Sequence, residues 1–180
     1  MSSGDWYKVL LENLVTHSVD ESGARQLRPC KVENSHPEKD WESIWQAATT
    51  PGLPSDLKSF CWLMIHNLLP NQARLYRMGI VATPNCEFCP DDTPDTLTHS
   101  LLTCPQVSAP GSFLLSVLKF EIPNIRPEQV VLLDFNVNEN LPLVYLSASV
   151  LSQVWACKKE KKSLNLHLIR ATLEAASKFL

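Results

Sequence analysis

Apolar side chains recur at helical intervals along most of this chain. In the segment 5–17, Trp6, Val9, Leu10, Leu14 and Val15 share one helical face, which predicts an amphipathic helix. From Ser18 to Asp40 the pattern turns polar, with Gly23, Pro29 and Pro37, and reads as a linker or extended arm. Trp41, Ile44 and Trp45 then stand at i, i+3 and i+4 on a short helix expected to cap the core. Pro51 and Pro54 break the chain. Ser55 is expected to N-cap the next helix, with Asp56 in its first turn. Leu57, Phe60, Cys61, Met64, Ile65 and Leu68 form the clearest buried stripe in the sequence, ended by Pro70.

Asn71 is placed to cap a shorter helix over 72–78, with Gly79 at its C′ position. A further helix is predicted at 112–120. The apolar run Val130–Phe135 reads as strand or helix, with helix favoured by its helical neighbours. Residues 141–159 and 164–180 read as a closing helical pair, joined by a turn rich in lysine. The expected fold class is mainly α, organised as an N-terminal helix and linker arm (1–39), a helical middle domain (40–110) and a C-terminal helical extension packed on it (111–180).

Composition supports a packed core. Of 180 residues, 44% are hydrophobic and 19% charged, and five glycines stand against thirteen prolines, a balance suited to helices punctuated by proline. The net charge of −3 argues against a strongly basic, free-standing nucleic-acid binder, though it leaves room for a local basic face. Residues 1–8 lead into an amphipathic stretch and not an apolar leader, and no apolar run approaches the ~18 residues that span a bilayer. Membrane partners are therefore not expected. Six cysteines without such a leader point to reduced thiols or a metal site in an intracellular setting, nucleus or cytoplasm.

Four of the candidate ligands form one constellation: Cys86, Cys89, His99 and Cys104, spaced C-x2-C-x9-H-x4-C. Zinc prefers a tetrahedron of thiolate and imidazole donors, and a C-x2-C turn brings two thiolates together beneath its own amides. Thr93 and Pro94 read as N-cap and first residue of a helix carrying the second pair. His99 and Cys104 converge only if that helix ends near Thr103, an ending that Pro105 supports. Four ligands close the site, which fits structural Zn2+; a catalytic zinc usually keeps an open position. Asp91, Asp92 and Asp95 read as loop-solvating and capping groups. Cys30, Cys61 and Cys157 are isolated, and Cys61 lies on the buried stripe as a small hydrophobe. His17 and His66 read as packing or surface groups.

These residues resemble the zinc-binding region C-terminal to the polymerase in non-LTR retrotransposon reverse transcriptases. The similarity is carried by DWESIW at 40–45, Phe60-Cys61-Trp62, Leu69-Pro70-Asn71, the Cys86/Cys89 knuckle, and Asp95-Thr96-Leu97-Thr98-His99 with Cys104. VWACKKEKK at 154–162 and SLNLHLIRATLEA at 163–175 are similar as well. Asn71 stands where that family usually has Thr and Asp95 where it has Glu, and the knuckle is acidic at Glu87, Asp91 and Asp92. The resemblance implies a non-catalytic role beside a polymerase, gripping template RNA or target DNA. The polymerase itself is not recognisable here: Asp91-Asp92 lie in the knuckle loop, and no endonuclease carboxylate and histidine set is visible.

Two functions follow as expectations. In the first, the domain assists RNA or DNA binding through Lys58, Arg74 and Arg77, with Tyr76 stacking on a base, and through Lys158, Lys159, Lys161 and Lys162. In the second, zinc stabilises a structural or protein-interaction domain whose apolar helices dock on the polymerase or another protein. Oligomeric state does not follow from the sequence.

Overall fold

Asp40 opens the first described helix, α1 (Trp41–Thr49), its carboxylate accepting from the Ser43 amide at 3.2 Å. In this computed structural model, residues 18–19, 25–26, 33, 36–135, 137–160 and 171 are described. The expected helix at 5–17 and, apart from residue 171, that at 164–180 lie outside them, as do Lys161 and Lys162. The chain divides into two compact units, 1–37 and 38–180. In the first, β1 (Ser18–Val19) pairs antiparallel with β2 (Arg25–Gln26), Ser18 opposite Gln26. Part of the segment read as a linker is thus a short ladder. The rest of the fold is mainly helical.

In the second unit, α2 (Ser55–Ile65) carries most of the predicted stripe: Phe60, Cys61, Met64 and Ile65 are buried on it, Leu57 is half-buried, and Leu68 is buried just beyond its end. Its N-terminus corrects the expected cap. Pro54 occupies the N-cap position, and Ser55 is the first helical residue, with no side-chain cap bond. Its C-terminus closes before Pro70. Asn67 turns left-handed (φ 52°), its amide bonding Met64 O at 2.9 Å while the Leu68 amide bonds Leu63 O at 2.7 Å. This is a Schellman ending, and asparagine tolerates the left-handed residue it needs.

Asn71 caps α3 (Gln72–Arg77) by accepting from the Arg74 amide at 2.8 Å. Gly79, at φ 71°, ends it as expected, and the Ile80 amide returns to Leu75 O at 3.0 Å. After the knuckle come a π turn at His99–Thr103, a 3-10 turn at Pro105–Val107, α4 (Ser108–Glu121), α5 (Pro127–Leu132) and α6 (Val137–Lys159). The run at 130–135 is therefore helical at its start; it ends on Leu133, buried and left-handed at φ 55°. The last described helix begins four residues before the expected 141, with Pro142 inside it at the loss of one backbone donor.

The long helix α6 organises the packing. It lies against α1, α2, α4 and the π turn, while α4 also covers the π turn and α5 meets α2. Ile44, Met64, Leu101, Leu114, Leu118, Val144 and Leu151 are fully buried in one core. Trp41 stacks on Trp45 at 5.9 Å between centroids, and Trp45 and Trp62 flank His66 at 5.0 and 4.3 Å. His66 is accordingly a packing group. Lys39 Nζ bonds Asp134 Oδ2 at 2.6 Å, fastening the start of this unit to the end of α5.

Candidate metal centre

The knuckle is drawn shut by a short backbone bridge. Asn85 pairs with Pro94; the Cys86 amide donates to Thr93 O at 2.9 Å, and the Asp95 amide to Pro84 O at 2.9 Å. Thr93 and Pro94 are extended, so the expected N-cap is corrected: the bridge claims their backbone. Thr96 takes the capping role three residues later, its hydroxyl accepting from the His99 amide at 3.2 Å. From His99 the chain winds as a π turn in which the Cys104 amide bonds His99 O at 2.8 Å. An i→i+5 bond is the geometry that carries His99 back beside Cys104, and the turn ends at Thr103, where the spacing required it.

The four predicted ligands converge. The sulfurs of Cys86, Cys89 and Cys104 and a ring nitrogen of His99 all lie within 4.8 Å of one another. Cys86 Sγ is 3.8 Å from Cys104 Sγ, and Cys89 Sγ is 3.3 Å from His99 Nε2. A tetrahedron around a zinc-sized ion has S···S edges of about 3.8 Å and S···N edges of about 3.5 Å, so the set fits such an ion. His99 Nδ1 faces the Thr103 hydroxyl at 3.5 Å, which turns Nε2 toward the sulfurs.

Burial shapes the protonation of these groups. It pushes the Cys86 thiol up to about 12, against smaller lowering effects from the Phe88 amide and the Lys158 charge. Cys89 is also raised, burial first among its causes. Burial lowers His99, and the Lys158 charge adds to that, so the imidazole stays neutral at pH 7 and free to ligate. Raised in this way, Cys86 and Cys89 hold their protons without a cation, and binding one would release them.

Asp95, Ser100 and Lys158 close around this set, and the sequence did not single them out for it. Asp95 accepts from Ser100 Oγ at 2.6 Å, from the Gln72 amide at 3.0 Å and from Lys158 Nζ at 2.6 Å. Burial alone would raise its carboxyl, but these hydrogen bonds and the lysine charge together hold it below the usual range. Asp95 and Lys158 lie 63 residues apart, a separation that gives no local signal.

The surface candidates separate. Tyr76, Arg77 and Lys159 are exposed, and Lys58 is half-buried in the first turn of α2. Arg74 turns inward, its guanidinium donating to Asn67 O at 2.9 Å. Lys158 corrects the expectation most: it is buried, its ammonium held by Asp95 and Ser100, and it is not presented to a phosphate. The described part of the late lysine cluster therefore reduces to Lys159.

Fold and site together define a mainly helical chain with a Cys3His cluster able to hold a metal ion. Residues 26–109 match the family model described as zinc-binding in reverse transcriptase, so the resemblance carried by the sequence motifs is shown over that stretch. No curated protein and no solved structure matches this chain. Among the described residues, no helix is long and apolar enough to cross a membrane.

Proposed function

We propose that the chain is a non-catalytic, zinc-binding accessory module of reverse-transcriptase origin that assists RNA or DNA binding. The convergence of Cys86, Cys89, His99 and Cys104 at tetrahedral spacing carries this reading, and the family match over 26–109 supports it. Zn2+ held there would act as a cross-link between the knuckle and the π turn. With four protein ligands it leaves no position for substrate, which favours a structural ion over a catalytic one. Such a site needs reduced thiols, which suits the nucleus or cytoplasm. Nucleic acid would meet the exposed Tyr76 and Arg77 on α3, with Lys58 and Lys159 as further phosphate contacts.

A second reading, a domain that docks on protein, is favoured by one observation. Tyr76, Met78 and Ile80 are each exposed by more than two fifths around the end of α3. That cluster suits an apolar partner as well as a base.

Metal content of the purified chain, beside Cys86→Ser and Cys104→Ser, tests the first claim. One zinc per chain is expected, lost in both variants together with the folded knuckle, since closed sites contribute folding energy outright. A metal-free chain that folds equally well with and without these cysteines overturns it. On the zinc-loaded chain, RNA and DNA affinity that falls steeply with salt supports the nucleic-acid role, and affinity absent at low salt favours protein docking.

A further inference from the structure

Lys158 belongs to the last turn of α6, where a lysine side chain ordinarily stays in water. Here it is 9% exposed, against 3% for Asp95 and 0% for Ser100. Its ammonium donates to Asp95 Oδ1 at 2.6 Å and to Ser100 Oγ at 2.9 Å, and lies 3.9 Å from Cys86 Sγ. It also stands 5.9 Å from the centre of the Phe88 ring, inside the knuckle. Asp95 in turn holds the first amide of α3 through Gln72. One buried ion pair thus joins α3, the π turn and the end of α6 directly behind the ligands.

Charge gives this arrangement a purpose. Three thiolates and a neutral imidazole around a divalent cation carry one net negative charge, and the Asp95 carboxylate adds another. Lys158 is the cation that meets both. Removing it leaves two negative centres side by side in a water-poor setting, where like charges repel strongly. Groups behind a metal's ligands orient them and tune their charge.

We propose that Lys158 is a positioning residue of the metal centre. It compensates the thiolate charge at Cys86 and, through Asp95 and Ser100, locks α6 onto the ligand loop. The centre would then extend beyond residues 26–109 to a helix that the family match does not cover. This inference rests on the zinc reading above.

The test uses the full chain loaded with zinc, then with Co2+ in its place. Zinc is measured by competition with a chromogenic chelator, and the thiolate-to-Co2+ charge-transfer band reports the ligand field. Lys158→Met is expected to weaken zinc affinity roughly 10–100-fold and to shift the band. The double variant Lys158→Met with Asp95→Asn, which restores the net charge, should recover part of the affinity. Lys158→Arg, which keeps the charge, should recover more than Lys158→Met retains. Lys39→Met severs a part-buried ion pair away from the centre, to Asp134, and should lower stability while leaving zinc affinity and the band unchanged.

A folded Lys158→Met chain with wild-type affinity and an unshifted band overturns the inference and leaves the zinc reading intact. A wild-type chain that takes up no zinc overturns both. If Lys158→Met does not fold, Ser100→Ala decides: it removes only the hydroxyl bridging the pair. A smaller loss in the same direction supports the proposal, and an unchanged affinity overturns it.

Discussion

Arg74 and Arg77 lie one turn apart on α3 and serve different ends. Arg74 Nη1 satisfies the carbonyl of Asn67, the left-handed residue that ends α2. Burial first, then the neighbouring Arg77 charge, pull its pKa below the ordinary arginine value, as expected of a guanidinium partly withdrawn from water. Arg77 is exposed and makes one long bond, 3.4 Å, to Ala73 O. Arg74→Ala should therefore cost about 1–2 kcal/mol in urea unfolding, because a half-buried carbonyl loses a charged donor. Arg77→Ala should stay within about 0.5 kcal/mol of wild type. If the nucleic-acid reading holds, Arg77→Ala should lower the salt slope of binding by about 1, while Arg74→Ala leaves it unchanged. Equal stability of the two variants would remove the capping role. The sequence offered both arginines, beside Lys58, as phosphate contacts, and Lys158 as one of a separate late lysine cluster. Residue type carries charge, but which way a long side chain turns depends on neighbours such as Asn67 and Asp95, supplied by other elements. The convergence of Cys86, Cys89, His99 and Cys104 was legible because their spacing is itself the signal.

At the scale of elements, the caps of α3 were legible, since Asn71 and Gly79 act on the backbone nearest them. The entry to the π turn was not. Thr93-Pro94 reads locally as the start of a helix, yet the bridge to Asn85 holds it extended, so tertiary pairing overrides the local preference. The π turn is shaped by what lies on it. α4 crosses it at Gly111, where an added Cβ would meet the Leu102 carbonyl oxygen and come within 2.9 Å of Leu102 Cα. Both neighbours are backbone and cannot rotate aside. Gly111→Ala should thus force α4 away from the π turn, costing about 1–3 kcal/mol as overpacking, and weaken zinc binding because His99 and Cys104 flank the displaced residue. Gly79→Ala is the matched comparison: its Cβ would meet nothing within 4 Å, but φ 71° disfavours it. It should cost about 1 kcal/mol with zinc affinity unchanged. Chemical unfolding and zinc competition on the two variants separate these effects. If Gly111→Ala lowers stability but holds zinc normally, the π turn does not need α4 to keep its shape.

For the whole molecule, the matched stretch ends at residue 109, and the core does not. Leu114 and Leu118 from α4, Val130 from α5, and Val144, Leu151 and Val154 from α6 are fully buried in one cluster with Ile44, Met64 and Leu101. Each such side chain contributes roughly 1.5–3 kcal/mol on leaving water. Losing the six that follow residue 110 removes on the order of 10 kcal/mol, comparable to the entire stability of a typical domain, about 5–15 kcal/mol. The metal ligands all precede that point, so a fragment covering 36–110 retains them while its apolar faces lose their cover. It should bind zinc only weakly, take up a dye that reports exposed apolar surface, and show no cooperative heat-absorption peak. In the full chain with zinc, the 38–180 unit should melt in one transition that a chelator shifts to lower temperature. A 36–110 fragment that melts cooperatively with one bound zinc would instead make the later helices an addition to a self-sufficient domain. The structure argues against that outcome at two independent points. The apolar side of α6 is shared with α1, α2 and α4, and its last turn delivers Lys158 to the ligand loop. Both losses fall together in the fragment. Lys158→Met in the full chain removes the second alone, so comparing the two measures how much of the site's stability comes from the core and how much from the charge behind the thiolates.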